Sequence, residues 1–307
     1  MFCILAFDFK LMQEAILLNE TNWNDVFRGM QQFPFRASEI KSVNKELALS
    51  NISFKFNIRG KEVYDNYKQT QVLLGGDYLL ITNQDRCEIQ IQEEQNDIGI
   101  CIDVNQDLLK QALQLHFHPN EMEDVHEADY YWFQADLFVR YRASTAFNDY
   151  MAHLFPAIRD KTFPSLQCLE MDFIAHFLQE QLPHFKAYQF VPLMKRQSKK
   201  ELYQRLIQAR NSMQDMVYQQ VSIQQLAREL CMSEFRFHHM YKEVFGVSPH
   251  RDMIRFKCEE ALRLFHQLKL TWTEIALRLD FADLPTFSKA FKRITGVTPS
   301  KYSLTRV

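Results

Sequence analysis

Residues 242–249 read KEVFGVSP and residues 292–299 read KRITGVTP, one helix-ending and helix-starting phrase written twice, 50 positions apart. Glycine at 246 or 296 can take the left-handed conformation that closes a helix, because it has no Cβ to clash. Ser248 or Thr298 can then cap the next helix, with Pro249 or Pro299 in a first turn that needs no amide donor. The match continues backwards: Phe237 pairs with Phe287, Tyr241 with Phe291 and Lys242 with Lys292 at the same offset. Further back the offset falls to 49, aligning Leu226 with Ile275, Ala227 with Ala276, Arg228 with Leu277 and Leu230 with Leu279. A one-residue change of offset places the inserted residue in the turn between two helices. Each copy therefore reads helix, short turn, helix, stop, with a small Ala where the second helix must cross the first closely. The alternative is a duplicated helical hairpin used only for packing.

Helical spacing extends this pattern over residues 199–219, 223–230, 234–245, 249–267, 273–279 and 284–294, with a last turn from Pro299. The helix expected over 249–267 would be a rod of roughly 28 Å at ~1.5 Å per residue. Such a rod can hold two recognition helices near the ~34 Å that separates successive major grooves on one face of DNA. Phe237, Met240, Tyr241 and Phe245 are spaced for the inner face of the 234–245 helix.

The formal charge of −2 over 307 residues conceals a division. From Lys195 onward there are 20 Lys and Arg against 11 Asp and Glu, which leaves 16 against 27 in the preceding part. A basic C-terminal half joined to an acidic N-terminal half fits a polyanion partner at the C-terminal end only. Six cysteines without a C-x-x-C pair read as reduced, mostly packed thiols rather than a disulfide framework. The apolar opening MFCILAF has no preceding positive charge and is interrupted by Asp8, Lys10 and Glu14, so no secretory signal is expected. No apolar run reaches the roughly 18 residues of a membrane span, and a soluble, cytoplasmic chain is expected.

The N-terminal half reads as strands over residues 47–102. Ile52, Phe54, Phe56 and Ile58 alternate with polar residues, as do Ile89 with Ile91 and Ile98 with Ile100 and Ile102. Gly75-Gly76-Asp77 marks a turn. The expectation is an antiparallel sheet or small barrel with one face buried. Phe54, Phe56 and Tyr78 would then fill its core or, less economically, line an apolar cavity. Helices follow over 105–115, 144–159 and 165–182, and the pattern does not resolve the acidic, aromatic stretch 121–131. In the last helix Leu166, Leu169, Phe173, Phe177 and Leu178 form a stripe that either packs on the sheet or contacts a second subunit. A basic, proline-containing stretch over 191–200 reads as a linker.

Residues 221–302, including SIQQLARELCMSEFRFHHMYKEVFGVSP and TEIALRLDFADLPTFSKAFKRITGVTPSKY, resemble the DNA-binding domain of the AraC/XylS family of bacterial transcription regulators. The resemblance implies a two-domain α+β chain. Residues 1–190 would be a cupin-like antiparallel sheet or barrel, at about 40–105, followed by helices, and 201–307 an all-α domain with helix-turn-helix units at 222–245 and 272–294. It implies double-stranded DNA as the partner, with Phe235, His238 and His239 of the first unit and Leu284, Pro285, Ser288 and Lys289 of the second facing base edges. Arg236, Lys242, Lys292 and Arg293 would meet phosphates. It further implies an activator that engages RNA polymerase and answers to a small-molecule effector or to homodimer formation, with no cofactor and no catalysis. His239 stands where relatives carry Arg and cannot form the bidentate pair to guanine that Arg forms. Leu284 and Pro285 can touch a thymine methyl but cannot hydrogen-bond a base edge, so the second unit should read less than the first. Asp280 stands where Gly is common. The rival is a metal-dependent cupin-type enzyme fused to a DNA-binding domain, for which His116, His118, Glu121 and His126 are the candidate ligands. Their place after a helix and beside Pro119 argues against it.

Overall fold

In the computed structural model, residues 15–19, 34–49, 52–84, 86–117, 122–192 and 195–304 are described. They fall into two compact units, Met1–Lys186 and Ala187–Val307. The alternating stretches of the first unit form eight strands: β1 (Ala15–Leu18), β2 (Phe35–Ala48), β3 (Ile52–Arg59), β4 (Lys61–Asp65), β5 (Thr70–Leu74), β6 (Asp77–Thr82), β7 (Arg86–Asp103) and β8 (Phe138–Arg142). Their order is β1-β2-β7-β3-β6-β8, with the β4–β5 hairpin attached to β7. Among the described residues the path does not close on itself, so this is an open curled sheet rather than a barrel. It is also wider than the expected 40–105, and β1 runs parallel to β2, so the sheet is not antiparallel throughout.

Strand β3 corrects a second expectation. Ile52, Phe54 and Phe56 are buried, as the alternation requires, but so are Ser53, Lys55 and Asn57 between them. Both faces are covered, and on the polar face Ser53 and Asn57 find carboxylate partners. Ser53 Oγ donates to Asp103 Oδ1 at 3.0 Å, the buried Arg36 guanidinium meets Asp103 Oδ2 at 2.7 Å, and Asn57 Nδ2 donates to Asp97 Oδ2 at 2.9 Å. Gly99 on β7 admits this polar layer: a Cβ there would lie 2.6 Å from Glu62 Oε1 and 3.1 Å from Ser38 Oγ.

Glu62 and Asp97 are both buried, and Tyr64 Oη donates to Glu62 Oε2 at 2.9 Å. Burial first, and then the charge of Asp97, holds the Glu62 carboxyl well above the usual range. A carboxyl whose folded pKa exceeds its unfolded value favours the fold below the unfolded pKa, and that contribution is lost as pH rises through the folded one. Glu62→Gln, which stays neutral, is therefore expected to raise the unfolding midpoint at pH 8 while matching the parent at pH 4. Thermal melts at the two pH values check this; an equal shift at both would mean that packing, not ionisation, is at work.

Among the described residues of the first unit there are also four α-helices. Helix α1 (Gln106–His116) is capped by Asn105, and α2 (Met122–Asp129) runs into a wide π turn, Tyr130–Gln134, that buries Tyr131 and Trp132. Helix α3 (Thr145–Arg159) is capped by Ser144, whose Oγ accepts from the Phe147 amide at 3.2 Å. Helix α4 (Leu166–Gln189) settles the apolar stripe in favour of packing. The Phe173 and Phe177 rings lie 5.4 and 5.9 Å from Phe54 of the sheet, and Phe35, Phe147 and Tyr78 close the same aromatic core. Phe54, Phe56 and Tyr78 thus fill a core. The expected helix end at residue 182 is corrected: α4 continues through Pro183 because burial of Phe177, Gln181 and Phe185 keeps the helical spacing going, and tertiary burial outweighs local propensity.

The second unit is all helix: α5 (Arg196–Asp215), α6 (Ile223–Glu229), α7 (Glu234–Phe245), α8 (Pro249–Leu268), α9 (Trp272–Arg278), α10 (Leu284–Thr295) and α11 (Pro299–Leu304). Residues 196–200, expected in the linker, are the first turns of α5.

Candidate nucleic-acid interface

The repeated phrase does in space what its residues dictate. Gly246 and Gly296 have φ of 71° and 82°, and their amides close α7 and α10 by donating to Lys242 O and Lys292 O, each at 2.9 Å. Ser248 Oγ and Thr298 Oγ1 then accept from the amides of Arg251 and Lys301, each at 3.3 Å. The turns between paired helices also repeat. Cys231 and Asp280 both sit at positive φ, 55° and 58°, and the next amides, Met232 and Phe281, donate to Ala227 O and Ala276 O at 2.9 Å. The caps of α7 and α10, Ser233 and Asp283, are again 50 apart, so the inserted residue lies between Phe281 and Asp283.

Each helix pair closes on its own core. Ala227, Phe237 and Tyr241 are buried in the first, and Ala276, Phe287 and Phe291 in the second. Val244, rather than Met240 or Phe245, is the further fully buried residue of α7; the latter two are half-covered. Asp252 on α8 anchors the first pair. Its Oδ2 accepts from Tyr241 Oη at 2.6 Å and from Arg210 Nε of α5 at 3.0 Å, and its Oδ1 accepts from Arg255 Nε at 2.9 Å. In the second pair Lys257 Nζ, also on α8, donates to Leu279 O at 2.8 Å and so caps the carbonyl end of α9. The 20-residue α8 spans roughly 30 Å at ~1.5 Å per residue.

Burial of Phe237, Tyr241 and Val244 leaves Phe235, Arg236, His238, His239 and Lys242 together on the open side of α7. Phe235 is 84% exposed, a large apolar side chain at the helix start with nothing covering it. His239 Nε2 lies 3.5 Å from Glu243 Oε2, one turn on. On α10, Pro285, Lys289, Lys292 and Arg293 are exposed and Ser288 is half-exposed, whereas Leu284 is half-buried against the second core and does not stand free as Phe235 does. Asp283 is the residue that sequence reading missed. Its side chain accepts from the Thr286 amide at 2.7 Å, and hydrogen bonds from Thr286 hold its carboxyl below the usual range. Helix α10 therefore opens on a carboxylate where α7 opens on the Ser233 hydroxyl. The one-residue insertion had hidden that correspondence.

Other expected features fall elsewhere. His116 ends α1 and His126 lies on α2, while His118 and Glu121 lie outside the described residues. Among the described residues no three metal-ligating side chains gather. Cys87 and Cys258 are buried, but Cys168 and Cys231 are exposed, so the thiols are less packed than expected. No helix among the described residues is long and apolar enough to cross a membrane.

The pattern of the family described as "Helix-turn-helix domain" matches residues 226–304, which contain both helix pairs from Leu226 onward. Residues 226–304 of the C-terminal unit are thus similar to that helix-turn-helix domain family. A curated relative, the probable transcriptional regulator LumQ of Photobacterium leiognathi, is 23% identical over 92 residues. That match spans 30% of this chain and only 37% of the relative. Among solved structures, the C-terminal domain of AraT, a response regulator from Geobacillus stearothermophilus, is 29% identical and matches over 34% of this chain and 86% of its own, with a TM-score of 0.32. ToxT from Vibrio cholerae, bound to an unsaturated fatty acid, matches over 87% of this chain and 93% of its own at 10% identity and a TM-score of 0.35.

Proposed function

We propose that this chain is a sequence-specific, DNA-binding transcription regulator whose α7 and α10 enter successive major grooves. The observation that carries this reading is the pair of recognition helices of one frame, each with an uncovered polar and basic face, joined through the single helix α8. In this reading Phe235, His238 and His239 meet base edges, joined more weakly by Leu284, Pro285, Ser288 and Lys289. Arg236, Lys242, Lys292 and Arg293 meet phosphates. The N-terminal unit supplies dimerisation or effector sensing, RNA polymerase is the protein partner of an activator, and the chain acts in the cytoplasm without catalysing a reaction.

Fluorescence-anisotropy titration of the full chain onto duplexes tests the assignment. Binding should weaken steeply with salt as counterions are displaced from phosphates. His239→Ala is expected to lower the preference for a selected site over random duplex by about 1–3 kcal/mol, whereas Lys242→Ala should weaken both alike and reduce the salt slope by about 1. Equal losses on both duplexes for His239→Ala would remove His239 from base reading, and salt-independent binding would remove the DNA reading altogether.

A further inference from the structure

Helices α3 and α4 and the loop that joins them line an open cavity of about 540 Å³, within the range of roughly 300–1,000 Å³ typical of small-molecule sites. Leu154, Phe163 and Leu169 give it apolar walls. Its polar groups are Tyr150, His153, Asp172 and His176, together with the Cys168 thiol.

The hydrogen bonds of these groups fix what they offer an occupant. His153 Nδ1 lies 2.6 Å from Asp149 O, and His176 Nδ1 lies 2.9 Å from Asp172 O. A carbonyl oxygen only accepts, so Nδ1 carries a proton in both rings and Nε2 is the ring nitrogen left for an occupant. The His176 ring is stacked on Tyr150 with centroids 3.8 Å apart and planes 8° from parallel, which fixes its position. The Tyr150 hydroxyl is buried, and burial first, then the neighbouring Asp172 carboxylate, pushes its phenol well up. It therefore stays a neutral hydroxyl whose oxygen can accept.

The cleft thus offers two imidazole Nε2 atoms, a phenol oxygen and a carboxylate within apolar walls. The surrounding N-terminal part is itself acidic, with 16 basic against 27 acidic residues before Lys195. An anionic occupant would meet repulsion from the Asp172 carboxylate, whereas an ammonium on an apolar body meets a counter-charge there and acceptor oxygens beside it. We propose that this cavity is a binding site for a small amphipathic amine, with Asp172 as the counter-charge, the Tyr150 oxygen as a hydrogen-bond acceptor and the Nε2 atoms of His153 and His176 as further polar contacts. As an effector site it rests on the regulatory reading above; as a binding site it does not.

Isothermal titration of the full chain with phenethylamine and with 3-phenylpropanoate, a carboxylate of matching body, tests the assignment. The amine is expected to bind at least about tenfold more tightly, the scale of a hydrogen-bonded charge. Asp172→Asn, at a side chain 55% exposed, should erase that preference without shifting the unfolding midpoint. Ala157→Phe, at a half-exposed wall position, should abolish uptake by filling the space. Carboxylate binding equal to or tighter than amine binding, amine binding indifferent to both substitutions, or no amine uptake at millimolar concentration would each overturn the proposal. So would a change from dimer to monomer on Ala157→Phe in sedimentation, since the cavity would then belong to a contact between copies. Duplex titration of the same variants without amine keeps the two readings apart: DNA binding that persists while amine binding fails sinks this site alone.

Discussion

Replacing Asp252 with Ala is expected to cost the C-terminal unit about 3–5 kcal/mol, the scale on which a buried charged network fails when one partner is removed. Asp252 is 1% exposed and holds α5, α7 and α8 together through Arg210, Tyr241 and Arg255. Its loss leaves the Tyr241 hydroxyl buried without an acceptor. It also leaves Arg210 as a cation held against the Phe245 and Phe256 rings, 4.6 and 5.7 Å from their centroids, without the carboxylate its Nε donates to. The desolvation of both groups is then uncompensated. Asp252→Asn keeps an acceptor of the same shape and should lose only part of the stability. Urea titration of the full chain followed by hydrogen-exchange mass spectrometry reads the effect in peptides from α7 and α8. A loss below about 1 kcal/mol for Asp252→Ala would show that the packing of Phe237 and Val244 holds α7 without the network.

How much of this was legible in the sequence follows from how local each cause is. Gly246, Ser248, Pro249 and their copies act within one turn of helix, so the two stops, the two starts and the turn containing the inserted residue could be read from spacing alone. The limits of α7 were legible for the same reason: Ser233 and Gly246 bracket it and nothing beyond them is needed. What escaped depends on partners far along the chain. Ser53, Lys55 and Asn57 have the polarity of a wetted face, and only the return of β7, about 45 residues later, supplies Asp97 and Asp103 to cover Asn57 and Ser53. Pro183 reads as a helix end unless the burial of Gln181 and Phe185 on either side is known. In the candidate interface, the exposed set on α7 follows from its periodicity. Leu284 does not, because position 284 begins a helix whose first residue also packs on the second core, a contact no spacing rule predicts. The cavity between α3 and α4 was invisible for a further reason: its lining gathers residues from two helices and a loop, and none of them forms a motif in sequence.

The largest effect on DNA binding is expected from neutralising four charges at once, Arg236→Gln and Lys242→Gln on α7 with Lys292→Gln and Arg293→Gln on α10. All four side chains are exposed. If each meets one phosphate, each contributes about 0.9 to the slope of log affinity against log salt, so the fourfold variant should have a slope shallower by about 3.6 and, near 0.1 M salt, an affinity lower by about a thousandfold. The loss should be the same on selected and random duplexes, because phosphate contacts carry no sequence information. Lys292 and Arg293 also lie in the last turn of α10, where a cation favours the helix dipole by roughly 0.3–1 kcal/mol, so circular dichroism must show the variant folded before its affinity is read. Splitting the four into pairs then separates the two helices. If α10 grips the backbone as α7 does, the α10 pair and the α7 pair each take about half of the slope, although α10 opens on the Asp283 carboxylate and reads bases less well. If the α10 pair leaves the slope untouched, only one of the two recognition helices lies on the duplex, and the repeated frame that places them 50 residues apart serves packing in its second copy.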